Sequence, residues 1–246
     1  MRKRQSIFAE QKVVEVKKAS RIRLVSPSTE PVDKTELLSY VQELSNAGAD
    51  FIHCDIMDGI AVEKVTYNEK TLMLIRKKFP NLRLDVHLMT AGGSKTVKKY
   101  IHSKPFAITV QYDYFSSEKD LVRALKAISK TKKIKCGISV SLNVPISYIT
   151  PYLKYIDLVL IMGVQPGKGG QKMNKDAITK VREARHIKET LKNSLMISFD
   201  GGVDLKNADD IFEAGADIVV SGSAIYNSFD KSYAIRALKM GEPLVI

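Results

Sequence analysis

The chain alternates between two kinds of segment. Eight times a short apolar run of strand type gives way to a segment with helical periodicity, with no shift in composition to mark a linker. The strand-type runs are Ile22–Ser26, Phe51–Asp55, Arg83–Leu88, Phe106–Gln111, Ile134–Val140, Leu158–Met162, Leu195–Phe199 and Ile218–Ser221. The helical segments are Asp33–Ala47, Glu69–Lys78, Ser94–His102, Ser117–Ser129, Pro145–Leu153, Lys175–Lys192, Leu205–Ala214 and Asp230–Met240. Strands separated by helices pair in parallel, because each crossover returns the chain to the same end of the sheet. Eight such units in 246 residues fit a single α/β domain, a closed (β/α)₈ TIM barrel, which needs about 250 residues. The joints agree. Asp33 is placed to cap the first helix, Gly48 to stop it, and Pro80 to stop the second. Asn46-Ala47-Gly48-Ala49-Asp50 recurs as Glu213-Ala214-Gly215-Ala216-Asp217, which we read as barrel grammar and not as a functional repeat.

Residues 1–20 are polar and basic and form an N-terminal extension; residues 21–246 form the barrel catalytic domain. Met1-Arg2-Lys3-Arg4-Gln5-Ser6 is basic but no continuous apolar segment follows it, so we read no signal peptide. No apolar run approaches the roughly 20 residues that span a bilayer, and no membrane partner is expected. Cys54 and Cys136 both sit inside strand-type runs. Buried free thiols fit a reducing, cytoplasmic compartment. The net charge is +12, which raises the question of a nucleic-acid partner. The lysines are spread as Lys77-Lys78, Lys98-Lys99 and Lys132-Lys133 and do not alternate with aromatics. A small phosphorylated substrate accounts for a positive field as well, and nucleic acid is not the expected partner.

In a parallel barrel every strand ends at the same mouth, where such barrels place their chemistry. Ser26, His53, Asp55, His87 and Asp200 all fall at strand C-terminal ends. His53 and Asp55 are two residues apart and share one face; Cys54 between them points the other way. Two His and two Asp suit one divalent metal ion such as Zn²⁺, Fe²⁺, Co²⁺ or Mn²⁺. Glycine loops form a second constellation: Gln165-Pro166-Gly167-Lys168-Gly169-Gly170-Gln171, Gly201-Gly202 and Ser221-Gly222-Ser223-Ala224. The loops after strands seven and eight of such barrels commonly bind phosphate.

These motifs, in this order, resemble the ribulose-phosphate 3-epimerase family. The resemblance rests on His53-Cys54-Asp55-Ile56-Met57-Asp58-Gly59, Asp85-Val86-His87-Leu88-Met89, Pro166-Gly167 through Gly169-Gly170-Gln171, Asp200-Gly201-Gly202 and Gly222-Ser223-Ala224. It implies a ribulose-phosphate-binding TIM barrel with a metal on His53, Asp55, His87 and Asp200. It implies that Asp55 and Asp200 are the acid–base pair and that the protein is a homo-oligomer. Ser26 and His87 would contact substrate near the metal. Met57, Met89 and Met162 would line the pocket, and Gly169, Gly170, Gly201, Gly202, Gly222 and Ser223 would hold the phosphate end. The implied activity is metal-dependent inversion at C3 of a ketose phosphate, D-ribulose 5-phosphate to D-xylulose 5-phosphate.

The chemistry is consistent. Inverting a carbon beside a ketone removes its proton from one face and returns one to the other, which takes two carboxylates with separated pKa values. An allulose 6-phosphate 3-epimerase is the near alternative. A decarboxylase or lyase of this barrel type would place a Lys among the barrel carboxylates, and none is evident. A non-catalytic or nucleic-acid-binding relative would be expected to lose metal ligands. The chain departs from the family at Gln111 and Asp113, where His and Glu are usual, at Ser141-Leu142, where Asn-Pro is usual, at Lys168, where Phe is usual, and at Gln165. These departures bear on the surroundings of the ligands and on the pocket walls.

Overall fold

The computed structural model describes residues 22–191 and 194–241. The expected extension at residues 1–20, and Lys192 at the end of the expected long helix, lie outside the described residues. The strands are β1 (Leu24–Pro27), β2 (Ile52–Met57), β3 (Leu84–Met89), β4 (Ala107–Gln111), β5 (Lys135–Val140), β6 (Leu158–Met162), β7 (Met196–Asp200) and β8 (Ile218–Ser221). Between and after them run α1 (Leu37–Asn46), α2 (Glu69–Lys78), α3 (Gly93–Ile101), α4 (Glu118–Ser129), α5 (Ala177–Thr190), α6 (Ala208–Ala214), α7 (Ser223–Tyr226) and α8 (Lys231–Met240). All strand pairs are parallel, in the order β1-β8-β7-β6-β5-β4-β3-β2. The seam between β1 and β2 closes through a parallel bridge, Ser28 to His53, and a hydrogen bond from Thr29 N–H to the His53 carbonyl at 3.0 Å. The eight-unit barrel read from the sequence is the fold.

Alternation along each strand sorts the side chains. Outward residues such as Val25, Cys54, Val86, Ile108, Ile138 and Phe199 pack under the helices in one continuous core. Inward residues Phe51, Leu158, Leu160, Met162, Ile218 and Val220 fill the barrel interior, with Leu24, Phe106 and Met196 packed against them. The rings of Phe51 and Phe106 lie 4.8 Å apart.

Helix boundaries follow from local hydrogen bonding. In α4 the buried positions Leu121, Ala124, Leu125 and Ile128 recur at helical spacing, and the Ser117 hydroxyl caps the helix by accepting from Asp120 N–H. Asn68 caps α2 and Asp230 caps α8 in the same way. Asp33 does not cap α1. Its carboxylate closes a local turn by accepting from Thr35 N–H at 2.8 Å and Thr35 Oγ1 at 2.7 Å, so α1 begins only at Leu37. The helix expected over Pro145–Leu153 is instead a 3₁₀ turn, Ile146–Tyr152, with Pro151 inside it. Proline lacks the N–H an α-helix needs and clashes with the preceding turn. The short α7 was not anticipated.

The repeated Gly-Ala-Asp joint has a physical role. Asp50 accepts from Val25 N–H and Asp217 accepts from Ile197 N–H, each at 2.8 Å. Each carboxylate also pairs with a lysine, Lys239 at 2.7 Å and Lys188 at 2.8 Å. Asp157 repeats the device with Cys136 N–H at 2.9 Å and Lys135 at 3.1 Å. These carboxylates tie neighbouring strands together at the barrel floor, the end opposite the mouth. Replacing Asp217 by Ala leaves a strand N–H and a lysine without their acceptor. Asp217→Ala is expected to lower the unfolding free energy by about 1–3 kcal/mol, measured by urea denaturation, without changing metal affinity at the mouth.

Candidate active site

Parallel pairing sets His53 beside Asp85 and Asp55 beside His87 across β2 and β3. All four side chains face the interior, since Cys54 and Val86 between them lie in the outer core. Asp200 ends β7 and enters the same space. His53 Nε2 lies 3.3 Å from Asp55 Oδ1 and 3.7 Å from Asp200 Oδ2, and His87 Nδ1 lies 3.3 Å from Asp55 Oδ1. One donor atom from each of His53, Asp55, His87 and Asp200 falls within 4.8 Å of all the others. His53 Nε2, Asp55 Oδ1 and His87 Nδ1 are buried without a hydrogen-bond partner. Buried polar atoms left unpaired are destabilising. Here they converge on one point, at spacings suited to ligands about 2 Å from a common cation. These residues can hold a divalent metal ion.

Other contacts aim the donors. His53 Nδ1 is 2.8 Å from Asp85 Oδ2. A carboxylate accepts only, so Nδ1 carries the hydrogen and Nε2 is left as the ligand. Ser26 Oγ donates to the same Asp85 oxygen at 3.3 Å. Ser28 Oγ donates to Asp55 Oδ2 at 2.9 Å, which leaves Oδ1 turned toward the imidazoles. Asp85 and Ser28 were not among the site residues expected from the sequence. Both carry a readable signal in hindsight, a polar residue at period two from another site residue on an inward face.

The two carboxyls are driven apart. Burial raises the Asp55 pKa, but the charges of His53 and His87 and their approach outweigh it and hold the group well below the usual carboxylate range. Burial pushes Asp200 up to about 7; His53 opposes that shift and the Asp55 charge adds to it. For His53, burial opposes protonation, and Asp55 and Asp85 overcome it and raise its pKa. Two carboxyls in one pocket with pKa values shifted in opposite directions are suited to acid–base chemistry.

Above the donors opens a narrow cavity of about 70 Å³. Asp55, Met57, Met89, Met162 and Asp200 line it, with Gly169, Gly170, Gly201, Gly202, Gly222 and Ser223 around its far side. Gly202 has φ +70, and a Cβ there would lie 2.5 Å from Met173 N. Only glycine allows that backbone to turn in so closely. Ser28, Glu30, Gln165 and Lys168 also line the cavity.

Ser26 and His87 are both completely buried and absent from the lining of this cavity. Ser26 sits one layer too deep, level with Asp85, and Ser28, two residues on along the same face, stands at the mouth. His87 stands beside Asp55 in the register, with its Nδ1 3.3 Å from Asp55 Oδ1. Gln111 and Ser141, among the departures noted above, likewise lie beneath the pocket, and only Lys168 and Gln165 belong to its wall.

The profile of the family described as ribulose-phosphate 3 epimerase matches residues 24–226. The chain belongs to this family. Ribulose-phosphate 3-epimerase of Aquifex aeolicus is 32% identical over 218 residues, covering 89% of this chain and 96% of that protein. The enzyme of the same name from Helicobacter pylori is 34% identical over 215 residues, covering 87% and 96%. Among solved structures, 3-keto-L-gulonate-6-phosphate decarboxylase from Vibrio cholerae superposes with a TM-score of 0.67 at 13% identity, covering 91% of this chain and all 100% of that one. That likeness is one of fold.

The Asp200 shift has a direction that can be checked. In the metal-free protein Asp200 holds its proton to about 7, against 3.8 ordinarily. Between those values the folded state binds the proton and the unfolded state does not, so this group makes stability fall as pH rises. Asp200→Asn removes the effect. Its stability relative to wild type is expected to increase from pH ~4 to pH ~7 in chelator-treated protein, read by urea denaturation; a flat difference would contradict the raised pKa.

Proposed function

We propose that this chain is a metal-dependent epimerase that inverts C3 of D-ribulose 5-phosphate to give D-xylulose 5-phosphate. The observation that carries this reading is the pair Asp55 and Asp200, pushed to opposite protonation states beside convergent unpaired His and Asp donors. Family membership and relatives named ribulose-phosphate 3-epimerase support the same activity.

His53 Nε2, His87 Nδ1, Asp55 Oδ1 and Asp200 Oδ2 hold one divalent ion, Zn²⁺, Fe²⁺, Co²⁺ or Mn²⁺. When bound, that ion supplies Lewis-acid stabilisation of negative charge on the substrate's ketone and neighbouring oxygens. Asp55, ionised, takes the C3 proton from one face. Asp200, in its protonated form, delivers a proton to the opposite face of the planar enediolate. In the reverse direction the roles exchange. The two carboxyls rise from strands separated by β1 and β8, which lets them flank a substrate. Met57, Met89 and Met162 form an apolar wall that excludes water from the exposed carbanion face. The phosphate sits against the glycine backbone at Gly201-Gly202 and Gly222-Ser223, where N–H groups approach without side chains. Residues 21–246 form the catalytic domain and residues 1–20 an extension to it. The two free cysteines are buried, with thiols pushed up to about 12 chiefly by burial, which supports a reducing cytoplasmic setting. No helix among the described residues is long and apolar enough to cross a membrane. Exposed Ile60, Val65, Met73 and Leu74 offer apolar surface for a homo-oligomer.

Asp55→Asn and Asp200→Asn are each expected to lower kcat by about 10²–10⁴-fold, and Asp55→Asn is expected to stop solvent deuterium entering C3 of ribulose 5-phosphate. Native rates in either variant, folded and metal-loaded, would refute these roles. Metal analysis of the purified protein is expected to return one divalent ion per chain. Wild type is expected to show a higher kcat/KM for ribulose 5-phosphate than for allulose 6-phosphate, and the reverse order would move the substrate to the hexulose.

A further inference from the structure

We propose that Gln111 is a positioning residue, which holds His87 in the tautomer that turns a free Nδ1 lone pair toward the metal, and that Asp113 sets the direction of the hydrogen-bonded string that does so. This rests on the reading of His53, Asp55, His87 and Asp200 as metal ligands. Gln111 ends β4 with its side chain completely buried. Its Oε1 lies 2.9 Å from His87 Nε2. Its Nε2 lies 2.9 Å from Asp113 Oδ2 and 2.9 Å from Ser141 Oγ. The Ser141 hydroxyl also donates to Asp113 Oδ2.

The polarity of the string follows from what each group can do. An ionised carboxylate only accepts. Gln111 must therefore turn its NH₂ toward Asp113, which turns its carbonyl oxygen toward His87. An amide oxygen also only accepts, so His87 Nε2 carries the hydrogen. The lone pair is left on Nδ1. That atom is buried without a partner, 3.3 Å from Asp55 Oδ1. With the amide reversed, two N–H donors would oppose each other at Nε2, or the imidazole would shift its hydrogen to Nδ1 and block the metal position.

The outer end of the string is anchored independently. Lys180 Nζ, on α5, donates to the backbone carbonyls of Ser141 at 2.7 Å, Leu142 at 2.5 Å and Val144 at 2.7 Å. Three carbonyls gathered on one ammonium hold the loop after β5 and keep the Ser141 hydroxyl in reach of Asp113 and Gln111. His53 needs no such string, because Asp85 is its register neighbour and meets it directly. The neighbour of His87 in β4 is Thr109, whose hydroxyl finds no partner, and Gln111 reaches back from two residues further along the same face.

The test measures Zn²⁺ affinity of the full chain by competition with a chromogenic chelator. Gln111→Met keeps length and bulk but removes all three hydrogen bonds. It is expected to weaken Zn²⁺ binding by about 10–100-fold, the usual effect of losing a partner that orients a metal-bound histidine. Asp113→Asn, on an exposed side chain, is expected to weaken binding in the same direction, because an amide there no longer dictates which way Gln111 turns. Gln111→His, which can accept at one ring nitrogen and donate at the other, is expected to restore most of the affinity. In Zn²⁺-loaded wild type, long-range ¹H–¹⁵N correlation should show His87 with hydrogen on Nε2 and metal on Nδ1. Coordination through Nε2, or wild-type affinity in both folded Gln111→Met and Asp113→Asn, would overturn the proposal while leaving the metal site standing. A wild-type chain that binds no divalent ion would instead remove the metal reading, and this inference with it.

Discussion

The register between β2 and β3 is the constraint on which the rest of the site depends. Six residue pairs align in parallel from Ile52–Leu84 to Met57–Met89. Within that ladder His53 meets Asp85 and Asp55 meets His87, all on the inward face. A slip of one residue would turn every one of these groups outward and bring Cys54 and Val86 into the barrel. The outer core prevents it. Ile52, Cys54, Ile56, Leu84, Val86 and Leu88 are buried under the helices, and exchanging them for His and Asp would put charge into an apolar layer. Packing on one face of the ladder therefore secures chemistry on the other.

The barrel separates what stabilises from what reacts. At the floor, Asp50, Asp157 and Asp217 each satisfy a strand N–H and a lysine. At the mouth, buried Asp55 and half-buried Asp200 lie close together, and His53 Nε2, Asp55 Oδ1 and His87 Nδ1 are left unpaired. Like charges brought near one another out of water resist joint ionisation. The His53 and His87 charges outweigh burial and hold Asp55 well below its ordinary range, while burial, with the Asp55 charge added, lifts Asp200 to about 7. The same arrangement that leaves donor atoms unpaired separates the strengths of the two carboxyls. It also makes the local hydrogen bonds consequential. Asp85, Ser28 and the Gln111 string each occupy one atom of a ligand and leave the other facing the common point.

Much of this was legible beforehand, for identifiable reasons. Period-two alternation placed His53 and Asp55 on one face, and parallel topology brought Asp200, more than a hundred residues away in sequence, to the same rim. The glycine loops announced themselves by composition. Depth along a strand is less legible. Ser26 and Ser28 share a face, and only the bridge from Ser28 to His53 reveals which stands at the mouth. His87 is completely buried, which no local pattern announces. Asp33 carried the signature of a helix cap, yet its side chain found a nearer partner in Thr35. Pro151 was the unheeded warning in the segment that became a 3₁₀ turn.

By itself the sequence determined the fold class, the order of the elements, the family and the four donor residues, because each of these is written in local pattern and short motifs. Only the tertiary structure decided the layer at which each inward side chain lies, which atoms of the ligands remain free, and how Gln111, Ser141 and Lys180 join behind His87. Those properties arise from distances between strands whose residues are far apart along the chain. Barrel closure sets such distances, and no local signal encodes them.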